Sequence, residues 1–411
     1  MRLYRFCSLL AALGMLSLGN AAVAQEGSGM SRTSYGYAQV DGALPYAAGE
    51  VNPALVSGGG GGMVARTVED TGWGSSAWCG DPWTLFPEDG PFVIGGWFQG
   101  GYHNKATPLS TTYGDGAAFN DVPHQFNIHQ AYIYAERVAD GDQGLDWGFR
   151  FDAVYGTDAR YAQSFGQTSG WDTSWDHGVY GWALPQAYVE VASGPLSVKA
   201  GHFYTIIGYE TVPAIGNFFY SHSYTMFNSE PFTHTGALAS LEVADGLTFY
   251  GGWTLGWDTG FDQFAGGSNF IGGVSVEATD WLTLTYATTI GDFGMRGDDG
   301  YMHSLVGTVQ LTDNMQYVVQ SDYLSVNPIG ATFSDSIGVN QSLFYWFNDC
   351  LGWGNRLEWW KADGLSRWEA TTGLNIKAHA NWVFRPEIRY DWHPGTDFDQ
   401  WTFGVDSYVT W

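Results

Sequence analysis

From Phe92 to the end of the chain, apolar and polar side chains alternate with a period of two. Leu247, Phe249, Gly251, Trp253, Leu255 and Trp257 fall on one face of one stretch, with Thr248, Tyr250, Gly252, Thr254 and Gly256 on the other. Leu145 to Tyr155 and Trp382 to Tyr390 repeat the design. Such strict alternation over roughly ten residues is the signature of a membrane-spanning β-strand. It predicts sixteen strands, over 92–102, 125–137, 145–156, 182–191, 196–204, 236–244, 247–257, 269–278, 281–291, 301–311, 315–325, 336–347, 350–361, 367–378, 381–392 and 400–411. In the second, Ala131, Ile133 and Ala135 are placed outward, because Gln130-Ala131-Tyr132-Ile133 resembles Gln186-Ala187-Tyr188-Val189 in the fourth.

The connections sharpen this reading. Those after even-numbered strands are short (138–144, 192–195, 245–246, 279–280, 312–314, 348–349 and 379–380). Those after odd-numbered strands are mostly longer (103–124, 157–181, 205–235, 258–268, 292–300, 326–335, 362–366 and 393–399). Short periplasmic turns alternating with longer outer loops belong to an outer-membrane barrel; a soluble sandwich has no reason to sort loop lengths by strand parity. The even count places both ends of the barrel on the periplasmic side. The expected fold class is all-β, a transmembrane antiparallel β-barrel over 91–411.

The first residues read differently. Arg2 and Arg5 precede an apolar run from Cys7 to Leu18, and Ala22-Val23-Ala24 has the form of a cleavage site. Residues 1–24 are therefore expected to be a signal peptide. After residue 24 no apolar run is long enough for a spanning helix. Residues 25–90 are expected to be a Gly- and Ser-rich periplasmic segment with five consecutive glycines, Gly58 to Gly62, flexible or loosely docked up to about residue 75.

Composition narrows the class further. Charged residues are 14% and aromatics 17%, with 20 Trp, 24 Tyr and 25 Phe among 411 residues. Charge is thus scarce against roughly 25% in soluble domains, and glycine is about twice its usual share. The formal net charge is −26. The chain is too aromatic to be disordered and too acidic to seek nucleic acid.

Several segments carry a family resemblance. Trp97-Phe98-Gln99-Gly100-Gly101-Tyr102-His103-Asn104 opens the barrel, followed by Leu145-Asp146-Trp147-Gly148-Phe149-Arg150 and Gly201-His202-Phe203-Tyr204-Thr205-Ile206-Ile207-Gly208. Asn228-Ser229-Glu230-Pro231-Phe232-Thr233-His234-Thr235-Gly236 and Glu358-Trp359-Trp360-Lys361 continue it. Over about 80–411 the chain resembles the β-barrel porin-2 family, OmpL-like, of the type common in planctomycetes. The resemblance implies an outer-membrane barrel with porin function. It also gives meaning to the final strand, which ends on Trp411, since an amphipathic strand closing on an aromatic is typical of barrels inserted by the outer-membrane assembly machinery.

The inward faces carry both signs of charge. Arg150 and Asp152 are neighbours, as are Arg356 and Glu358, and Arg385, Glu387 and Arg389. Glu190, Lys199, Glu242, Glu277, Asp322, Glu369 and Asp406 also fall inward. Arg or Lys facing lipid at mid-membrane would cost about 2–4 kcal/mol, a penalty that a wet lumen removes. These groups are read as pore-lining, either bracing the wall in pairs or orienting polar solutes in a transverse field. The longer connections hold 16 acidic and 3 basic residues, which favours cations at the outer mouth; simple solubility of the loops, or divalent cations bridging them to lipid, would use the same charges. The 205–235 connection, with Tyr209, Phe218, Phe219, Tyr220, Tyr224, Phe227 and Phe232, is too apolar for water and is expected to fold into the barrel. Glu210, His222, Glu230 and His234 then become constriction residues, or else groups that only fix the loop's shape.

Cys79 and Cys350 are the cysteines left after export and are disulfide candidates, with two free thiols as the alternative. A bond would tie the N-terminal segment across the periplasmic mouth as a partial plug. Other motifs fail. The Trp-Asp pairs at 171, 175 and 257 lack a propeller period, and Asp140 to Asp146 lacks the glycine and distal glutamate of a calcium loop. His124 and His129 are weak metal ligands, and His303 and Ser304 sit on opposite faces, against a barrel hydrolase. No cofactor, metal or catalytic residue is expected. The function read from the sequence is a diffusion channel for small hydrophilic solutes or ions, cation-biased, surrounded by outer-membrane lipid and able to self-associate. A structural or adhesive barrel with a blocked lumen is the alternative.

Overall fold

The computed structural model describes residues 79–80, 82–86, 91–108, 118–142, 144–166, 171–172, 175–329 and 334–411. The expected signal peptide 1–24 and most of the 25–90 segment lie outside them.

Sixteen antiparallel strands close into one barrel, each bonded to its neighbours in sequence and the first to the last. They are β1 (Val93–His103), β2 (Phe126–Arg137), β3 (Asp146–Gly156), β4 (Gly181–Ser193), β5 (Leu196–Tyr204), β6 (Thr233–Ala244), β7 (Leu247–Thr254) and β8 (Ser268–Thr279). The second half runs β9 (Leu282–Asp292), β10 (Asp298–Thr312), β11 (Met315–Asn327), β12 (Asp335–Asn348), β13 (Leu351–Ala362), β14 (Leu365–His379), β15 (Trp382–His393) and β16 (Phe398–Thr410). The seam pairs Trp97 with Thr410 and His103 with Gly404.

Exposure along the strands is inverted relative to a soluble protein. Phe98, Phe151, Phe249 and Ile388 are exposed, while their neighbours Gln99, Asp152, Tyr250 and Arg389 are buried. A wall apolar outside and polar inside is at home in lipid. Ile133 is exposed and Tyr132 buried, so β2 takes the orientation expected of it. A register shift opposite Gln99 and Gly100 lets both His129 and Gln130 be buried, at 2% and 1% exposure, where alternation alone would send one outward.

Turns at one end are tight, two residues each at 194–195, 245–246, 280–281, 313–314, 349–350 and 380–381. At the other end the connections reach their greatest length in 205–232. One connection there departs from the expected parity. Asp363-Gly364 is a two-residue hairpin with φ of 45° and 87°, the left-handed pair that a tight turn between twisted strands requires.

A second departure concerns Trp257, expected to share a face with Phe249 and Trp253. β7 ends at Thr254, and Trp257 is 1% exposed, packed on Phe293 with the Arg296 guanidinium 5.8 Å from its ring. The chain turns there because Gly256 and Asp258 have φ of 123° and 53°, and the Asp258 carboxylate accepts the Phe232 and Thr233 amides at 2.7 and 2.8 Å.

The N-terminal segment also takes a different route. Cys79 is joined to Cys350 in the β12–β13 turn, with Cα atoms 5.8 Å apart. The Cys79 carbonyl accepts from Ala380, and Trp83 exchanges hydrogen bonds of 2.8 and 2.9 Å with the Asn381 side chain in the β14–β15 turn. Asn381 also donates to the Thr410 carbonyl of β16 at 3.1 Å. These described residues follow the rim from the β12–β13 turn toward β1. They do not cross the mouth, because the polar groups that hold them are those of successive tight turns.

Candidate functional site

The core of this molecule lies inside the barrel and is made by the 205–232 connection together with inward side chains. Ser223 starts a short helix, α1 (Tyr224–Ser229), accepting from the Met226 amide at 3.2 Å, and Pro231 lies just beyond its end. Aromatic and aliphatic groups of the connection meet the wall in several directions. Ile206 and Ile207 pack with Leu238, Ile271, Met302 and Leu324, and Phe218 and Phe219 with Val306, Val318 and Phe344. Tyr220 reaches the opposite side, where its hydroxyl lies 2.6 Å from His129 Nε2.

The charges of β13 and β15 are committed to this connection. Arg356 donates to Glu369 at 2.5 Å, to Glu210 at 2.6 Å and to the Ser221 carbonyl at 2.8 Å. Arg385 grips Asp406 at 2.5 and 3.0 Å and donates to the carbonyls of Ala214 and Asn217 at 2.7 and 2.8 Å. Arg389 is held by Asp391 and donates to the His222 carbonyl at 2.6 Å. The carboxylates serve the amides: Glu358 accepts from Tyr224 and Thr225 at 2.6 and 2.7 Å, and Glu387 from Tyr220 and Ser221 at 2.9 and 3.1 Å. Such charge-assisted bonds are roughly twice as strong as neutral ones, and they satisfy a loop backbone that has no strand partner.

The residues expected to line a pore therefore divide. Arg356, Glu358, Arg385, Glu387 and Arg389 face inward but are covered by the connection, because its unpaired backbone needs them. Asp322 is buried too, accepting from Ser304 at 2.7 Å and Gln320 at 2.9 Å. On the other wall Arg150 bridges Glu136 and Asp152, both at 2.7 Å, and Asp152 also takes the Tyr132 hydroxyl. Glu190 pairs in register with Lys199, whose ammonium lies over the rings of Tyr188 and Phe203. Glu242 and Glu277 are exposed near the tight-turn ends of β6 and β8.

The four expected constriction residues also separate. Glu210 sits between Arg356 and the Ser223 amide, which donates to it at 2.7 Å. Burial would raise its carboxyl, but Arg356 and His222 hold it below the ordinary value. His222 bonds the Thr211 carbonyl at 3.0 Å and stacks on Phe119, and burial lowers its imidazole. Glu230 accepts from Gln320 at 2.5 Å and is pushed well above the ordinary range by burial and then by Asp322. His234 lies on β6, buried beside Thr205 at 3.0 Å, and so belongs to the wall.

Sequence reasoning missed the inward amides. Gln130 bonds the Val212 carbonyl at 2.5 Å and the Ala214 amide at 3.0 Å, Gln320 accepts the Tyr209 amide at 3.0 Å, and Asn375 donates to the Phe218 carbonyl at 2.6 Å. The available signal was Gln or Asn at inward positions opposite a long connection. Space is left for the connection by wall glycines. A Cβ at Gly338 would lie 2.1 Å from Thr225 Oγ1, and one at Gly354 would lie 2.6 Å from the Phe218 ring.

A recess of about 10 Å³ between the connection and β15–β16, lined by His103, Lys105, Tyr220, Glu387, Arg389 and Asp391, has room for about one water.

The barrel has counterparts among known proteins. The family described as "Putative beta-barrel porin-2, OmpL-like" matches residues 91–410. The chain belongs to that family. The chain shares its fold with solved structures of very different sequence. An anion-selective porin from Comamonas acidovorans superposes with a TM-score of 0.55 at 11% identity, over 78% of this chain and 99% of that one. The outer membrane channel DcaP of Acinetobacter baumannii gives 0.54 at 9%, over 78% and 97%. OmpT of Vibrio cholerae, an outer membrane protein in its trimer form, gives 0.51 at 11%, over 78% and 99%. No curated protein matches the chain in sequence.

Proposed function

We propose that the protein is an outer-membrane channel through which small hydrophilic solutes or ions diffuse, with the 205–232 connection setting the passage. The observation that carries this is the polar, doubly charged inner wall committed to a loop folded within a barrel of the porin family. Residues 1–24 act as the export signal in this reading, the mature chain starts at Gln25, and no catalytic residue is assigned. Cation preference is the finer part. Asp298, Asp299, Asp335, Asp363, Asp397 and Asp399 are exposed at the loop end. Asp121, Asp158, Asp172, Asp258 and Glu230, by contrast, are buried and add little to the field a solute meets.

Planar-bilayer recordings test both levels. Discrete conductance steps are expected, with a reversal potential of cation sign in a salt gradient that shrinks as salt rises. An anion-signed potential would remove the preference and leave the channel. A second reading, a structural or adhesive barrel with a blocked lumen, draws on the packing of the connection against opposite walls. It predicts no conductance from correctly inserted, full-length protein.

A further inference from the structure

Glu230 of the connection and Asp322 of β11 are a pair of buried carboxyl groups inside the barrel, 2% and 0% exposed. Both accept from one nitrogen: Gln320 Nε2 lies 2.5 Å from Glu230 and 2.9 Å from Asp322. The Gln320 side-chain oxygen takes the Tyr209 amide at 3.0 Å. Glu230 also lies against Gly208, where a Cβ would overlap its carboxylate. One β11 side chain thus joins both legs of the connection, at 208–209 and at 230, to the wall.

This junction is short of a hydrogen. Asp322 receives Ser304 and Gln320 on Oδ1, while its Oδ2 is buried with no hydrogen-bond partner among the described residues. The charged neighbours do not neutralise the pair. Glu210, on the first leg beside Tyr209, is acidic too and acts on Glu230 in the same direction as Asp322. Arg356 on β13 is bonded to Glu210 and Glu369, and His234 on β6 to Thr205. Asp322 pairs in register with Ser304 on β10 and Gly338 on β12, neither of which titrates. Two carboxylates in one buried site resist joint ionisation, so one of them keeps a proton. Burial, and then Asp322, hold the Glu230 carboxyl well above its ordinary range.

We propose that the pair holds one proton while the connection is docked, and that losing this proton to solvent releases the connection from β11, so that the channel widens as pH rises. The widening rests on the channel reading; the release does not. In the docked state the lumen beside this junction is filled. Phe203, Leu238, Ile271, Met302 and Leu324, from five strands, are at most 2% exposed and pack with Ile206 and Ile207 of the first leg. With both carboxyls ionised, repulsion acts across the shared amide, and α1, which ends at Ser229 beside Glu230, moves with the released leg. The docked state binds the proton more tightly than the released one. Docking is therefore complete below the ordinary carboxyl value of 4.5 and is lost as pH rises through the raised one. One proton leaves per release, so the released fraction grows by up to about tenfold per pH unit in that window.

The test uses the full-length protein in liposomes and planar bilayers from about pH 5 to about pH 10. Thr225→Cys on α1 replaces a side chain that is 1% exposed and whose hydroxyl has no hydrogen-bond partner among the described residues. Its maleimide labelling rate is divided, at each pH, by that of Thr225→Cys/Glu230→Gln, which cancels the ionisation of the thiol itself. The ratio is expected to be near one in acid and to rise with pH, by up to about tenfold per unit. Current should rise over the same range in the wild type and stay at its acid level in Glu230→Gln, which keeps the shape without the charge. Asp322→Asn takes the place of Glu230→Gln if that variant loses its heat-shifted folded band. A ratio that stays near one throughout overturns the inference, with or without current. A rising ratio without current at any pH upholds the release and overturns the channel reading instead.

Discussion

Arg356 meets Glu369, Glu210 and the Ser221 carbonyl from a position with no solvent contact. Replacing it strands two buried carboxylates, and breaking such a pair from one side typically costs about 3–5 kcal/mol. Arg356→Met is expected to loosen the connection by that order and raise single-channel conductance, with Arg356→Lys in between because an ammonium keeps the charge and loses the fork. Equal conductance in all three would show that the connection does not depend on this group. Asp258 gives a pH signature. Burial raises its carboxyl from 3.8 to about 7, against the pull of the Thr233 and Phe232 amides. The folded state therefore holds the proton more tightly than the unfolded one. The stabilisation is full below about pH 4 and is lost as pH rises through about 7. The unfolding midpoint in detergent should fall as pH rises from about 4 to about 7 and level off above that. Asp258→Asn, which keeps the acceptor oxygen without the charge, should flatten that slope; an unchanged slope would assign the dependence elsewhere.

Strands and connections differ in how openly the sequence declares them. A wall between lipid and polar lumen imposes opposite demands on alternate residues, so Phe151 beside Asp152 or Ile388 beside Arg389 announces both strand and face. Period fixes which way Arg385 points but not what it meets. Besides Asp406, its partners are loop carbonyls, which any sequence possesses and none advertises. For the same reason nothing in the sequence marked Gln130 or Asn375 as anchors of the connection. Trp257 misled because alternation continued past Thr254 while Gly256 and Asp258 turned the backbone. The connection itself was legible through its aromatics, and its docking can be challenged directly. Gly338→Val places side-chain atoms where Thr225 of α1 now lies, and the β12 backbone is held on both sides by its ladders. The helix is expected to leave, with the barrel still heat-modifiable and conductance increased. Deleting 215–230 should raise conductance further. A deletion mutant that inserts normally with unchanged conductance would place the connection outside the conducting path.

For the molecule as a whole, the bond from Cys79 to Cys350 spans 271 residues of sequence. Non-reducing peptide maps are expected to recover the two cysteines in one fragment, and labelling of both thiols without reduction would rule that out. Reduction should free the upstream segment to protease while β1–β16 stay closed, since the ladders carry the barrel. The route along the rim also changes the order in which the molecule can be made. Through this bond, β1 is attached to the β12–β13 turn, and β13–β16 remain as the part that must still arrive. The chain to be closed when β16 finds β1 shrinks from the entire barrel to the strap and four strands, a saving of about 1 kcal/mol in loop entropy. A barrel with Cys350→Ser should therefore reach the same final state more slowly, visible as a delayed appearance of heat resistance after dilution from urea. The strap is then a guide for biogenesis: its work is finished at the moment the seam seals.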